Sequence, residues 1–303
     1  MKKFISLLSV LFILTACSSS KPDTKNDKLS IVTSYTILED MVHQIGKELV
    51  DIHNLVPSGT DPHEYEPLPN DIKQASDADI LLYNGLNLEG GEHGWFMKLA
   101  RSVNKDTEKI HDLSLGITPL SLFSDDNVVD EINPHAYLSP KNGLIMVENV
   151  LKILIENDVD NKDIYEENAQ AYIKTLNDID LSYRKEFDTL ESKVLVTSER
   201  AFQYMNKEYG LEEGYIWQID TEETGTAKQI KELTAFIKEK DVKILFLESN
   251  VDPRPMETVS QESGVPIYKE HLYSDDIGSK GSAVDTYEKL LIHNLEAIIG
   301  GLK

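Results

Sequence analysis

The chain has 303 residues, 53 of them acidic and 30 basic, for a formal net charge of −23. Phosphate repulsion by so acidic a surface excludes nucleic acid as a partner, whereas a cation would be attracted to it. The length exceeds one small core and suits two α/β lobes, and past the N-terminal leader no apolar stretch is long enough to span a bilayer.

Residues 1–16 read as a secretory leader: Lys2 and Lys3, an apolar run over 4–14, then small residues before Cys17. The pattern Leu14-Thr15-Ala16-Cys17 resembles the bacterial lipobox, in which the thiol is lipidated and becomes the new N-terminus. The blander reading is a plain leader with a chance cysteine. Cys17 is the only cysteine, and an uncapped exported thiol would be a reactive liability, so lipidation is the better account. Two acyl chains would anchor the protein stably, and residues 17–28 read as the lipidated cysteine followed by a polar, disordered tether.

Residues 29–160 read as a first α/β lobe. A β-branched run at 29–33 leads to helical spacing over 37–45, closed by Gly46. Strands are expected at 49–56 and 80–83, and helices at 69–76, 95–103 and 141–156. A polar acidic loop at 124–131 precedes Asn133-Pro134-His135-Ala136-Tyr137. That stretch repeats the pattern of Asp61-Pro62-His63-Glu64-Tyr65: Asp or Asn, then Pro, His, any residue and Tyr. Proline stiffens the loop, and Asp or Asn favours a turn through bonds to nearby backbone, so each imidazole is aimed in advance. A preset direction suits a metal ligand, because less entropy is lost on binding. His43, His53, His93, His111, His271 and His293 lack this context and read as surface or core residues.

Residues 161–192 carry one long linking helix. Tyr165, Ala169, Tyr172, Leu176, Ile179, Tyr183, Phe187 and Leu190 recur at helical spacing, and neither Gly nor Pro occurs from 144 to 209. Over 162–190 such a helix is about 43 Å long, the height of a domain.

The second lobe, 193–303, repeats the alternation. Strands are expected at 193–197, 215–217 and 244–247, helices at 201–209, 226–240, from 253, and at 284–299, and residues 265–268 lead to a loop at 274–278. Ser198 and Glu199 follow a strand, at the end where open α/β sheets place their ligands. Alone, Glu199 would read as a helix-start carboxylate, and Asp275 with Asp276 as an exposed loop pair.

Taken together, these motifs resemble the metal-receptor lipoproteins of bacterial ATP-binding-cassette (ABC) importers, the manganese/zinc solute-binding family. The likeness covers the lipobox and residues 29–303, and is most specific at Asp61-Pro62-His63-Glu64-Tyr65-Glu66-Pro67, Asn133-Pro134-His135, Val196-Thr197-Ser198-Glu199, Tyr215-Ile216-Trp217-Gln218-Ile219 and residues 248–255. It implies two similar α/β lobes bridged by one long rigid helix, with the metal in the cleft between them. The implied ligands are His63 and His135 from the first lobe, and Glu199 and Asp275 from the second, with Asp276 as the alternative fourth.

Zinc receptors of this family usually offer histidine at the third position and a long His-rich loop. Here the residue is Glu199, and the loop at 124–131 has no histidine. Two imidazoles with two carboxylates make an oxygen-rich site, which favours Mn²⁺, although Zn²⁺ should bind as well. Arg200 departs from the family's small or acidic residue. Carboxylates among Asp61, Glu64, Glu66 and Glu248 are expected to orient the imidazoles.

The resemblance implies a monomeric receptor on the outer face of the cell membrane, passing metal to an ABC permease and its ATPase. A zinc or iron receptor is the alternative cargo reading, and a surface adhesin the alternative role. A metal-dependent hydrolase would need an open coordination position and a base, and no His-Glu-x-x-His signature is present.

Overall fold

The apolar runs of the chain pair as parallel strands whose connections return over both faces. The structure, a computed structural model, describes residues 28–122, 131–219 and 225–303. The expected leader, Cys17 and nearly all of the tether and of the 124–131 loop lie outside the described residues.

The first lobe comprises β1 (Leu29–Tyr35), α1 (Thr36–Gly46), β2 (Val50–Val56), α2 (Pro69–Asp77), β3 (Ile80–Tyr83), α3 (Trp95–Ser102), β4 (Ile110–Asp112) and α4 (Pro140–Asn157). Its sheet has the order β2-β1-β3-β4 and is parallel throughout, with Ile31 opposite both Ile52 and Ile80. Alternate residues of β1 serve different layers. Ile31 joins the large core with α1 and α4, while Val32 packs with Ala75, Phe96 and Leu99 of α2 and α3. A parallel sheet needs this cover on both faces.

The linking helix is α5 (Lys162–Asp188), 27 residues and about 40 Å long. Its stripe Tyr165, Ala169, Tyr172, Leu176, Ile179, Tyr183 and Phe187 is fully or nearly fully buried. It packs on α1 and α4 of the first lobe.

The second lobe contains β5 (Val194–Glu199), α6 (Gln203–Tyr209), β6 (Glu212–Trp217), α7 (Ala227–Glu239), α8 (Pro253–Ser263) and α9 (Tyr287–Leu302). Its sheet begins as the parallel pair β5-β6. The strand expected at 244–247 and the run at 265–268 are joined by a single bridge rather than a full ladder, Leu245 opposite Ile267, and just beyond them Glu248 bridges Leu272. They still extend the layer: the Phe246 amide donates to Val196 O, and the Leu245 amide to Pro266 O, both at 2.9 Å. The second layer therefore follows the first in order, β6, β5, then 244–248, then 265–268. Val196, Trp217, Leu233, Leu245 and Met256 form its separate core under α7 and α8. On the other face, α6 and α9 pack against α5.

Local chemistry explains most boundaries. Gly210 and Gly264 end α6 and α8 in the left-handed conformation, and Thr226 with Gln229 forms a capping box at the start of α7. At the end of α1 the expected closing glycine is not the left-handed residue. Lys47 takes φ +45°, and Gly46 is required because a Cβ there would collide with the Val50 side chain.

Candidate metal centre

Four side chains approach one another outside the carboxyl ends of the two sheets, the position at which open α/β sheets bind ligands. His63 lies in the loop leaving β2, His135 in the loop between β4 and α4, Glu199 is the last residue of β5, and Asp275 follows the bridge at Leu272. His135 Nε2 lies 2.9 Å from Asp275 Oδ1 and 3.7 Å from Glu199 Oε1, and His63 Nε2 lies 3.6 Å from the same Asp275 oxygen. One donor atom each from His63, His135 and Asp275 falls within a sphere of contacts no wider than 4.8 Å. Glu199 adjoins that group through His135. His135, Glu199 and Asp275 are buried, at 0%, 1% and 2% exposure, while the His63 side chain keeps 13%. His63 thus faces the opening, a cleft of about 930 Å³ that is also lined by Glu64, Pro134, Tyr215 and Trp217.

Both proline–histidine loops use the same device. The His63 amide donates to Asp61 Oδ1 at 2.8 Å, and the His135 amide to Asn133 Oδ1 at 2.9 Å. The Asx side chain two residues upstream therefore closes each turn, as the repeated motif predicts. The first loop is tied down further: Trp95 Nε1 donates to Pro62 O at 2.9 Å, and the Tyr65 hydroxyl donates to Asp71 Oδ2 at 2.8 Å. Asp71 also faces His53 Nε2 at 2.8 Å, so His53 acts as a support for this loop.

Orientation of His135 comes from Asn133 rather than from the expected carboxylates. Asn133 Nδ2 donates to Arg200 O at 2.7 Å, which turns its Oδ1 towards His135 Nδ1 at 2.9 Å. The Nδ1 proton is thereby assigned to Asn133, and the Nε2 lone pair points into the cluster. Glu248 works on the opposite side. Its carboxylate accepts from the Ser198 and Glu199 amides at 3.1 and 2.9 Å, fixing the end of β5, and burial pushes it up to about 7. Glu248, expected among the carboxylates that orient the imidazoles, instead holds the Ser198 and Glu199 amides, and nothing in the sequence beyond its place in a motif distinguished Asn133 for the Nδ1 contact.

Asp275 Oδ2 accepts from Ser274 Oγ at 2.6 Å and from Asn250 Nδ2, which leaves Oδ1 to the histidines. Asp276 turns away, accepting from Ser58 Oγ and the Gly59 amide. Arg200 also points away, pairing with Glu213 at 2.5 Å and lying over the Tyr215 ring.

The electrostatics are those of a site built around positive charge. Burial opposes ionisation of Asp275, but the two imidazoles outweigh it and hold the carboxyl well below its usual range. Burial pushes His135 down towards the neutral form, against the pull of Asp275. At His63 burial also favours the neutral form, but Asp275, Asp61 and Glu89 outweigh it and raise it. With its Nδ1 proton committed to Asn133, a neutral His135 presents a lone pair to the Asp275 carboxylate. A shared cation, proton or metal, relieves that opposition.

The family described as "ZnuA: Zinc-uptake complex component A periplasmic" matches residues 31–301. The chain belongs to this family. It is 44% identical over 301 residues to the iron ABC transporter substrate-binding lipoprotein MtsA of Streptococcus pyogenes serotype M1, covering 98% of this chain and 96% of that protein. Identity to the manganese ABC transporter substrate-binding lipoprotein PsaA of Streptococcus pneumoniae is 41% over 309 residues, covering 100% and 99%. The Mn-bound periplasmic metal binding protein from Candidatus Liberibacter asiaticus superposes with a TM-score of 0.81 at 28% identity, covering 90% of this chain and 99% of that one. The two-lobed fold expected from the motifs is thus the fold of the family.

Proposed function

We propose that this chain is the substrate-binding lipoprotein of a metal ABC importer, that its cargo is Mn²⁺, and that His63, His135, Glu199 and Asp275 hold the ion. The observation that carries this reading is the gathering of Nε2 of both histidines around Asp275 Oδ1, at 2.9 and 3.6 Å, with Glu199 3.7 Å from His135. Metal–ligand bonds of about 2.1 Å imply ligand–ligand edges of about 3.0 to 3.4 Å, so these donors stand near coordination spacing before any ion is added. Two imidazoles and two carboxylates form a harder set than the thiolate-rich sites of zinc proteins, and a bidentate carboxylate raises the coordination number as Mn²⁺ prefers. Manganese- and iron-named relatives at 41% and 44% identity agree with this class of cargo. Zn²⁺ outranks Mn²⁺ for most nitrogen and oxygen sites, so it competes.

Loading proceeds through this chain's own groups. The ion would pass the partly exposed His63, take up the Nε2 lone pair of His135 and the facing Asp275 carboxylate, and so bridge the histidines of the first lobe to Glu199 and Asp275 of the second. In the cell the chain would be exported by residues 1–16, lipidated at Cys17 and tethered through 17–28. Lobes of 29–160 and 193–303, joined by the helix at 161–192, would then present the loaded cleft to the permease.

Calorimetric titration of Mn²⁺ into the metal-stripped protein beginning at Ser18 tests this reading. One-to-one binding is expected, with a large loss in Glu199→Ala. A folded parent that binds neither Mn²⁺ nor Zn²⁺ would overturn it and leave the adhesin role.

A further inference from the structure

Asp276 is almost buried, at 8% exposure, and among the described residues its carboxylate forms no ion pair. Instead Oδ2 reaches across the cleft to the first lobe, accepting from the Gly59 amide at 2.7 Å and Ser58 Oγ at 3.0 Å. The receiving turn is made for this. The Thr60 amide donates to Pro57 O at 3.1 Å, and Gly59 takes φ +81° at the third position, as a type II turn requires. Next to Asp276, the Ile277 amide donates to Thr36 Oγ1 at 3.2 Å, adding a second stitch to the same lobe. Ser58 and Gly59 lie four or five residues before His63, and Asp276 directly follows Asp275. The two segments that meet at this latch are therefore the two that carry His63 and Asp275.

We infer that Asp276 is a positioning residue: as a hydrogen-bond acceptor it fastens the Asp275 loop to the Ser58–Gly59 turn and so sets how slowly bound metal escapes. This rests on the metal-receptor reading of the site. Opening the site towards the permease or solvent requires the Asp275 loop to leave the first lobe, and the latch must break first. Because two donors converge on one carboxylate oxygen, the role calls for an acceptor and not for negative charge. Asparagine can supply that acceptor; alanine cannot.

The test is the rate at which the Mn²⁺-loaded protein releases its ion when mixed with excess chelator. Asp276→Ala is expected to release about tenfold faster, the loss expected when two hydrogen bonds go. Asp276→Asn should stay within about threefold of the parent. Ser58→Ala should accelerate release in the parent background and have no effect once Asp276 is alanine. Equal acceleration by Asp276→Asn and Asp276→Ala would assign the role to charge or direct ligation and overturn the proposal, as would an unchanged rate in Asp276→Ala. Should the parent bind no metal, the receptor reading fails instead. The latch is then read in the metal-free protein from hydrogen exchange of the Gly59 amide, which should be protected in the parent and Asp276→Asn and lose protection in Asp276→Ala. Equal exchange in all three would overturn it. If the alanine variant does not fold, Ser58→Ala and Asp276→Asn carry the same comparison.

Discussion

Asn133 bears more of the site than its size suggests. It closes the His135 turn, holds the Nδ1 proton and is itself locked by Arg200 O. Asn133→Ala should lower Mn²⁺ affinity by about 10- to 100-fold in calorimetry while leaving the fold intact, as loss of a ligand-orienting partner does. Unchanged affinity would show that His135 needs no such hold. Glu89 makes a second prediction, on stability. Its Oε1 accepts from Ser34 Oγ at 2.6 Å and the Asn84 amide at 2.7 Å, and burial pushes its carboxyl from 4.5 up to about 7. Between those values the folded protein keeps a proton that the unfolded chain has released. Its stability therefore falls as pH rises through the window, by up to about 1.4 kcal/mol per pH unit. Glu89→Gln keeps an acceptor and removes the titration, so denaturant unfolding of the metal-free variant should be flatter from pH 5 to 7 and more stable than the parent at pH 8. Parallel pH profiles would contradict this. At this scale the sequence was readable where a motif repeats: His63 and His135 stand out because the same Asx-Pro-His turn occurs twice. The directions of Asp275 and Asp276 were not readable from spacing: two adjacent carboxylates look alike in the chain, and Asp276 is turned by Ser58 and Gly59, more than 200 residues away.

The element that most constrains the molecule is α5, whose buried stripe touches helices of both lobes. Leu176 sits at its centre with no exposure. Leu176→Ala should destabilise the metal-free protein by about 3 kcal/mol through lost burial and the cavity left behind, measured by urea unfolding. Its Mn²⁺ affinity at low denaturant should stay near that of the parent, because none of the four proposed ligands lies on α5; a matching loss of affinity would mean that the helix sets the site directly. Long periodic elements such as this were legible from spacing alone, to within two residues at the C-terminal end. Short ones were not. β4 is only Ile110, His111 and Asp112, too few residues to display a period, and its strand character comes from pairing with β3. The runs at 244–247 and 265–268 have strand composition, but each finds only single bridges, since pairing is settled by neighbours in space.

For the molecule as a whole, the question is how far the lobes can part. The largest core does not stop at a lobe boundary. Tyr137 and Met146 of the first lobe, Tyr172 and Leu176 of α5, and Phe202, Met205, Tyr287 and Leu291 of the second belong to one buried cluster. Hydrogen bonds cross it as well: the Tyr287 amide donates to Asp40 Oδ2 at 2.9 Å, the Tyr183 hydroxyl to Leu291 O at 2.7 Å, and the Tyr204 hydroxyl to Asn133 O at 2.9 Å. A wide hinge rotation would expose this apolar surface and strand those buried partners, and α5 has no glycine or proline at which to bend. Motion on loading and release should therefore be confined to the loops that carry Asp275 and His63, with the lobes themselves nearly fixed. Small-angle scattering of metal-free and Mn²⁺-loaded protein should give superimposable curves, while hydrogen exchange should slow on loading at residues 58–63 and 274–278. A clear compaction of the whole particle on loading would show that the continuous core yields, and that the lobes close as rigid bodies after all.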